Sequence, residues 1–104
     1  MKRLYLIVIA MAMTVGGFAQ KKDWKLVWSD EFNYKGLPNI KKWNYDTIGN
    51  SYGWGNGEAQ WYTYKCKKNA YVNKGILNIT AIKEPTNGKK YSSARLTTKN
   101  KGDW

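Results

Sequence analysis

Seven carboxylates are the first candidates for chemistry in this chain: Asp23, Asp30, Glu31, Asp46, Glu58, Glu84 and Asp103. A carboxyl pair acting as acid and nucleophile on a glycosidic bond stands about 5–5.5 Å apart, and a water-activating pair stands about 6.5–9.5 Å apart. On a strand, two such groups share a face at i and i+2 or i and i+4. No two of the seven have that spacing inside a strand-like stretch, and the adjacent Asp30 and Glu31 would face opposite ways. The chain has no His and one Cys in 104 residues. That excludes Ser-His-Asp and Cys-His nucleophiles, a His-containing zinc site, and Fe–S or Cys₄ centres. No residue here is a candidate for catalysis.

The densest candidate for binding is Tyr52-Gly-Trp-Gly-Asn-Gly-Glu58. Its glycines let the backbone approach a ligand, Trp54 offers a flat apolar face, and Asn56 and Glu58 offer hydrogen-bonding groups. A pyranose, with one C–H face and a rim of hydroxyls, calls for that mixture. The same residues also fit a glycine-rich turn around a buried Trp.

The net charge of +11 raises the question of an anionic partner. Trp61 to Lys68 interleaves aromatic and basic residues, as single-strand binders do. Yet the basic residues are Lys except for Arg3 and Arg95, so the forked side chains that read bases are nearly absent. Solvated Lys on strand edges, resisting edge-to-edge pairing, is the better reading, and no nucleic-acid partner is expected. Cys66 reads as a small buried hydrophobe. Asn78-Ile79-Thr80 matches a glycosylation sequon but lies on a strand and decides nothing.

The elements that must position these groups read as β-structure. Met1-Lys2-Arg3, the apolar Leu4 to Val15 and the small residues at Gly17 and Ala19 have the layout of a signal peptide over 1–19. The protein is therefore expected to be exported, with no stable membrane insertion once cleaved. In the mature residues 20–104, Trp24, Leu26 and Trp28 alternate as a first strand with one buried face. A turn-rich stretch, Asn33 to Gly57, leaves room for one helical turn over Pro38–Trp43 capped by Asn39. Glu58–Tyr64 reads as a second strand. Asn69–Val72 and Ile76–Ile82 flank a three-residue hairpin loop, Asn73-Lys74-Gly75, with Leu77, Ile79 and Ala81 forming an apolar face. A turn at Asn87-Gly88 precedes a last strand over Tyr91–Thr98. Five short strands at turn-marked spacing predict an all-β sandwich or barrel. They would leave unpaired edges and an uncovered apolar face, so the chain reads as the front part of a larger domain.

Several motifs together resemble glycoside hydrolase family 16, nearest its laminarinase-like β-1,3-glucanases. They are Leu26-Val-Trp-Ser-Asp-Glu-Phe-Asn33, Lys42-Trp-Asn-Tyr-Asp46, Trp54-Gly-Asn-Gly-Glu-Ala-Gln-Trp-Tyr-Thr63, Asn73-Lys-Gly-Ile-Leu-Asn-Ile-Thr80 and Ser92-Ser-Ala-Arg-Leu-Thr-Thr-Lys99. The resemblance implies a β-jelly-roll sandwich of two antiparallel sheets, of which this chain supplies the N-terminal strands, with a β-glucan cleft on the concave face. It implies retaining hydrolysis of β-1,3 or β-1,3-1,4 linkages by two Glu of a Glu-x-Asp-x-x-Glu strand, a motif this sequence does not contain. It matches Asn56 and Arg95 to cleft residues on the non-reducing side, with Trp54 as a stacking neighbour. It also matches Glu31 and the Gly75 carbonyl to ligands of a structural Ca²⁺, which wants six to eight oxygens. No cofactor is implied for the chemistry, and the intact protein is expected to be a monomer. Two other readings compete: a non-catalytic secreted carbohydrate-binding module, and a cationic binder of nucleic acid or membrane surfaces.

Overall fold

A computed structural model describes residues 23–102, so the signal-peptide reading of 1–19 lies outside the described residues. Among the described residues the regular structure is β apart from one stretch of 3-10 helix. Its strands are β1 (Asn44–Tyr45), β2 (Gln60–Tyr62), β3 (Ala70–Asn73), β4 (Ile76–Ile79), β5 (Tyr91–Ser93) and β6 (Leu96–Thr97), with a 3-10 segment at Ile48–Gly55. They form three two-stranded ladders: β1 with β6, β2 with β5, and β3 with β4.

The β3–β4 hairpin is the most regular element. Ala70 pairs with Ile79, Val72 with Leu77, and Asn73 with Ile76. Since Asn73 and Ile76 face each other, the loop is two residues, Lys74-Gly75, rather than the three expected. Both have left-handed φ, +52° and +74°, the backbone that matches the twist of the flanking strands. Asn87-Gly88 repeats the solution with φ of +46° and +82°, closed by paired bonds between Thr86 and Lys89.

Isolated bridges extend the ladders, Gly36 to Val72 beside β3 and Ile82 to Ser92 beside β5. The β2–β5 pair runs parallel, with Gln60 opposite Tyr91 and Tyr62 opposite Ser93, unlike the wholly antiparallel expectation. Parallel neighbours require a long crossover, which the β3–β4 hairpin and its flanks supply. The expected strand over Tyr91–Thr98 is broken at Ala94-Arg95, where the chain leaves β2 and, as β6, joins β1.

The expected first strand does not form: Asp23 to Glu31 takes no regular structure, and Trp24 and Leu26 are 88% and 78% exposed. A strand exists only against a hydrogen-bonding neighbour, and no described residue pairs with this segment. The face expected from Leu77, Ile79 and Ala81 is likewise open, with Ile79 exposed. The Pro38–Trp43 turn is present. Asn39 Oδ1 accepts from the Lys41 N–H at 2.9 Å, and the Asn39 carbonyl accepts from Lys42 and Trp43, the capping role expected of Asn.

The buried apolar residues are small, Ala70, Val72 and Ala94, and beside them lie buried Asn50, Asn69 and Ser92. Asn69 is their hub. Its Oδ1 accepts from Thr63 Oγ1 at 2.7 Å, and its Nδ2 donates to the Thr80 carbonyl at 3.1 Å and to Ser92 Oγ at 3.0 Å. Ser92 Oγ in turn donates to Glu84. Buried polar groups persist when so satisfied, and this network ties β2, β3 and β5 together where hydrophobic area is scarce.

Candidate functional site

Arg95 follows β5 at the point where the chain crosses to β1. Its guanidinium lies over the Trp54 ring, Cζ 4.4 Å from the centroid, and its Nε sits 3.2 Å from Asp46 Oδ2. The Asp46 N–H also donates to the Arg95 carbonyl at 2.8 Å, so backbone and side chain are both tied to the strand opposite. A cation over an indole is attracted by about 0.5–2 kcal/mol. About half of the Arg95 side chain remains exposed.

Trp54 arrives there through an unusual backbone. Gly53, Trp54 and Gly55 have φ of +58°, +57° and +75° in succession. For the two glycines that conformation is free; for a Trp it costs about 1–2 kcal/mol. The indole packs edge-on to Tyr62, ring centroids 5.3 Å apart, and its Nε1–H points to Asn50 Oδ1 at 3.4 Å. Gly49 lies so close beneath it that a Cβ there would fall 2.2–2.6 Å from the ring atoms.

Asn56 is exposed and donates through Nδ2 to Glu58 Oε2 at 3.1 Å. Gln60 Nε2 donates to the other oxygen, Oε1, at 2.6 Å. The Gln60 and Asn56 amides, joined by the positive field of Arg95, hold the Glu58 carboxyl below the usual glutamate range. Glu58 is thus an ionised clamp on two amides rather than a proton donor at neutral pH. The structure therefore gathers Trp54, Arg95, Asp46, Asn56, Glu58, Gln60 and Tyr62 into one patch. Asn50, Gln60 and Tyr62 are not candidates in the sequence, where Asp46 counts only as one of seven carboxylates and Asn56 and Glu58 as hydrogen-bonding groups with no partner assigned.

Asp30 has another job. Asp30 accepts from the Phe32 N–H at 2.9 Å, Trp43 Nε1 at 2.8 Å and Tyr34 Oη at 2.8 Å. Burial pushes its carboxyl upward, but these three donors and the Lys42 charge more than offset it and leave it lowered. Around it, Trp43 meets Trp28 edge-on at 5.3 Å and stacks with Phe32 at 6.3 Å. Asp30 organises an aromatic cluster.

Glu31 is exposed, and Gly75 lies in the β3–β4 turn. Among the described residues no three Asp, Glu or Cys side chains gather as a metal-holding group. One carboxylate and one carbonyl fall far short of a calcium shell, so these residues do not by themselves fit the ion. No helix among the described residues is long and apolar enough to cross a membrane.

No protein-family model matches the chain. Individual relatives do. A β-glucanase of Rhodothermus marinus is 53% identical over 81 residues, which is 78% of this chain and 28% of the relative. The crystal structure of the laminarinase from Rhodothermus marinus superposes with a TM-score of 0.72 at 51% identity, over 78% of this chain and 32% of that one. A family GH16 non-specific endo-β-1,3(4)-glucanase, SCLam, co-crystallised as a mutant with 1,3-β-D-cellobiosyl-cellobiose, gives a TM-score of 0.75 at 43% identity, over 84% of this chain and 37% of that one. The chain thus spans roughly a third of the length of these relatives. At these identities, with the fold shared across nearly all the described residues, the strands are those of a partial jelly-roll sandwich, and the chain is homologous, along about a third of their length, to endo-β-glucanases of glycoside hydrolase family 16.

Proposed function

We propose that this chain forms the non-reducing-side wall of a β-glucan cleft in an exported, retaining glycoside hydrolase acting on β-1,3 or β-1,3-1,4 linkages. The observation that carries the reading is the Arg95 guanidinium seated over Trp54, beside the exposed Asn56 amide that Glu58 orients. A charged fork and an amide held in fixed directions can bond sugar hydroxyls without reorganising. The substrate class is supported by a glucan oligosaccharide bound to a GH16 relative. Retention requires one carboxylate to attack the anomeric carbon and another carboxyl to protonate the leaving oxygen, with no cofactor. Glu58 and Asp46 are both engaged in holding neighbours, so residues 20–104 bind glucan without cleaving it, and cleavage belongs to the domain continued through a Glu-x-Asp-x-x-Glu strand.

The test is reducing-sugar release from β-1,3-glucan and mixed-linkage glucan by residues 20–104 and by a version extended through that strand. Activity is expected only in the extended protein, and only while both Glu of its motif are intact. Turnover by the short chain that disappears on Glu58→Gln would overturn the reading. A non-catalytic glucan-binding module is the second reading, favoured by the engagement of both site carboxylates; it predicts a sharp thermal transition from residues 20–104 alone and no hydrolysis by the extended protein.

A further inference from the structure

We infer that Asn50, with Gly49, is the positioning residue of this site: it fixes the Trp54 indole on which Arg95 rests, and touches no sugar itself. The inference rests on the glucan reading above only for what the positioning serves. Asn50 is 3% exposed in a chain whose buried residues are few. Its amide spans β2 with a reciprocal pair, Nδ2 donating to the Tyr62 carbonyl at 2.8 Å and Oδ1 accepting from the Tyr62 N–H at 2.9 Å. The same Oδ1 faces Trp54 Nε1–H at 3.4 Å, and Tyr62 supports the indole edge-on. One side chain therefore sets both the strand that carries Tyr62 and the in-plane direction of the Trp54 ring.

Gly49 sets its height. Its backbone has an ordinary φ, and the reason for glycine is contact: a Cβ would lie 2.2 Å from Trp54 Cδ2, far inside any real separation. With Gly49 beneath, Asn50 at the Nε1 corner and Tyr62 at the edge, the left-handed Trp54 has one available seat. Arg95 then reads that seat through the ring, and Asp46 holds its Nε. A guanidinium held in place on its platform binds without the cost of ordering it, so a shifted platform weakens binding.

A double-mutant cycle in the full chain, with a β-1,3-linked glucotetraose as the probe, tests this, alongside the indole N–H resonance of Trp54 identified by its loss in Trp54→Phe. Asn50→Ala is expected to move that resonance and to weaken binding about 10-fold, whereas in a Trp54→Ala background it should cost less than about 2-fold more, since acting through Trp54 makes the losses non-additive. Gly49→Ala leaves the Asn50 bonds available, is expected to move the same resonance, and carries the comparison if Asn50→Ala does not fold. An unmoved resonance, or losses that multiply independently, would overturn the inference. If the unsubstituted chain binds no oligosaccharide, the glucan reading fails, and the resonance alone decides the positioning role.

Discussion

Replacing Asn69 by Ala removes the hub of the buried polar network, and its cost can be worked from the bonds lost. Three side-chain bonds disappear, to Thr63, Thr80 and Ser92. At about 1 kcal/mol each the simple sum is about 3 kcal/mol. Two partners have somewhere to turn, however. The Thr63 hydroxyl reaches the Ser93 carbonyl at 3.1 Å, and Ser92 Oγ keeps Glu84 at 3.0 Å. The Thr80 carbonyl loses its side-chain donor outright, and a small void is left beside Ala70. The expected loss is therefore about 2 kcal/mol, or about 30-fold in local opening. Amide hydrogen exchange reads it at the Thr80 N–H, bonded to the Asn69 carbonyl, and at the Ile82 and Ser92 N–H groups, which bridge to one another's carbonyls. Asn78→Ala is the control, because that exposed side chain also bonds two carbonyls, of Tyr71 and Ile76, yet should change exchange by less than about 3-fold. Equal effects from the two substitutions would refute the reasoning that burial makes the Asn69 bonds count.

Other outcomes follow from single features. Gly75→Ala should cost about 1–2 kcal/mol through its left-handed φ alone, since nothing lies within 4 Å of the added Cβ, and faster exchange confined to the β3–β4 hairpin would show it. The Asp30 carboxyl, lowered from its ordinary 3.8, contributes stability that is complete above that value and lost as pH falls through its lower folded value; the Trp43 indole N–H resonance should therefore titrate with a midpoint below 3.8, and a midpoint above it contradicts the three-donor bonding. Arg95→Lys should weaken glucan binding nearly as much as Arg95→Ala, about 10-fold by titration, because a point charge cannot reproduce a planar fork stacked on an indole.

The parts of the fold legible in the sequence are those whose signal is local. Alternation marks β2 and β4, and turn residues mark the loops at Asn73-Lys74-Gly75, one residue longer than the loop that forms, and at Asn87-Gly88, because side-chain period and backbone φ are set within a few residues. Asn39 announced its turn for the same reason. The Trp24–Trp28 segment shows the limit: it alternates as a strand should, but alternation states only a preference, and pairing needs a neighbour. The parallel register of β2 and β5, and the split of the last strand at Ala94-Arg95, depend on which distant edge is nearest. The 3-10 segment at Ile48–Gly55 carried no helical periodicity, since its shape follows from consecutive left-handed residues and the close approach of Gly49 to Trp54. At the site, motif resemblance pointed to Trp54, Asn56 and Arg95. Asn50 and Asp46, which hold Trp54 and Arg95, lie in turn-rich sequence where an Asn or Asp ordinarily means a loop.

Whether the Trp54–Arg95–Asn56 patch faces β-glucan is read by titrating a β-1,3-linked glucotetraose into ¹⁵N-labelled protein and following side-chain N–H resonances. Saturable shifts are expected at the Arg95 Nε–H, the Asn56 amide and the Trp54 indole, abolished by Arg95→Ala. Shifts gathered instead on the groove lined by Leu26, Trp28, Lys41 and Lys42, with the Arg95 and Asn56 resonances unmoved, would contradict that placement.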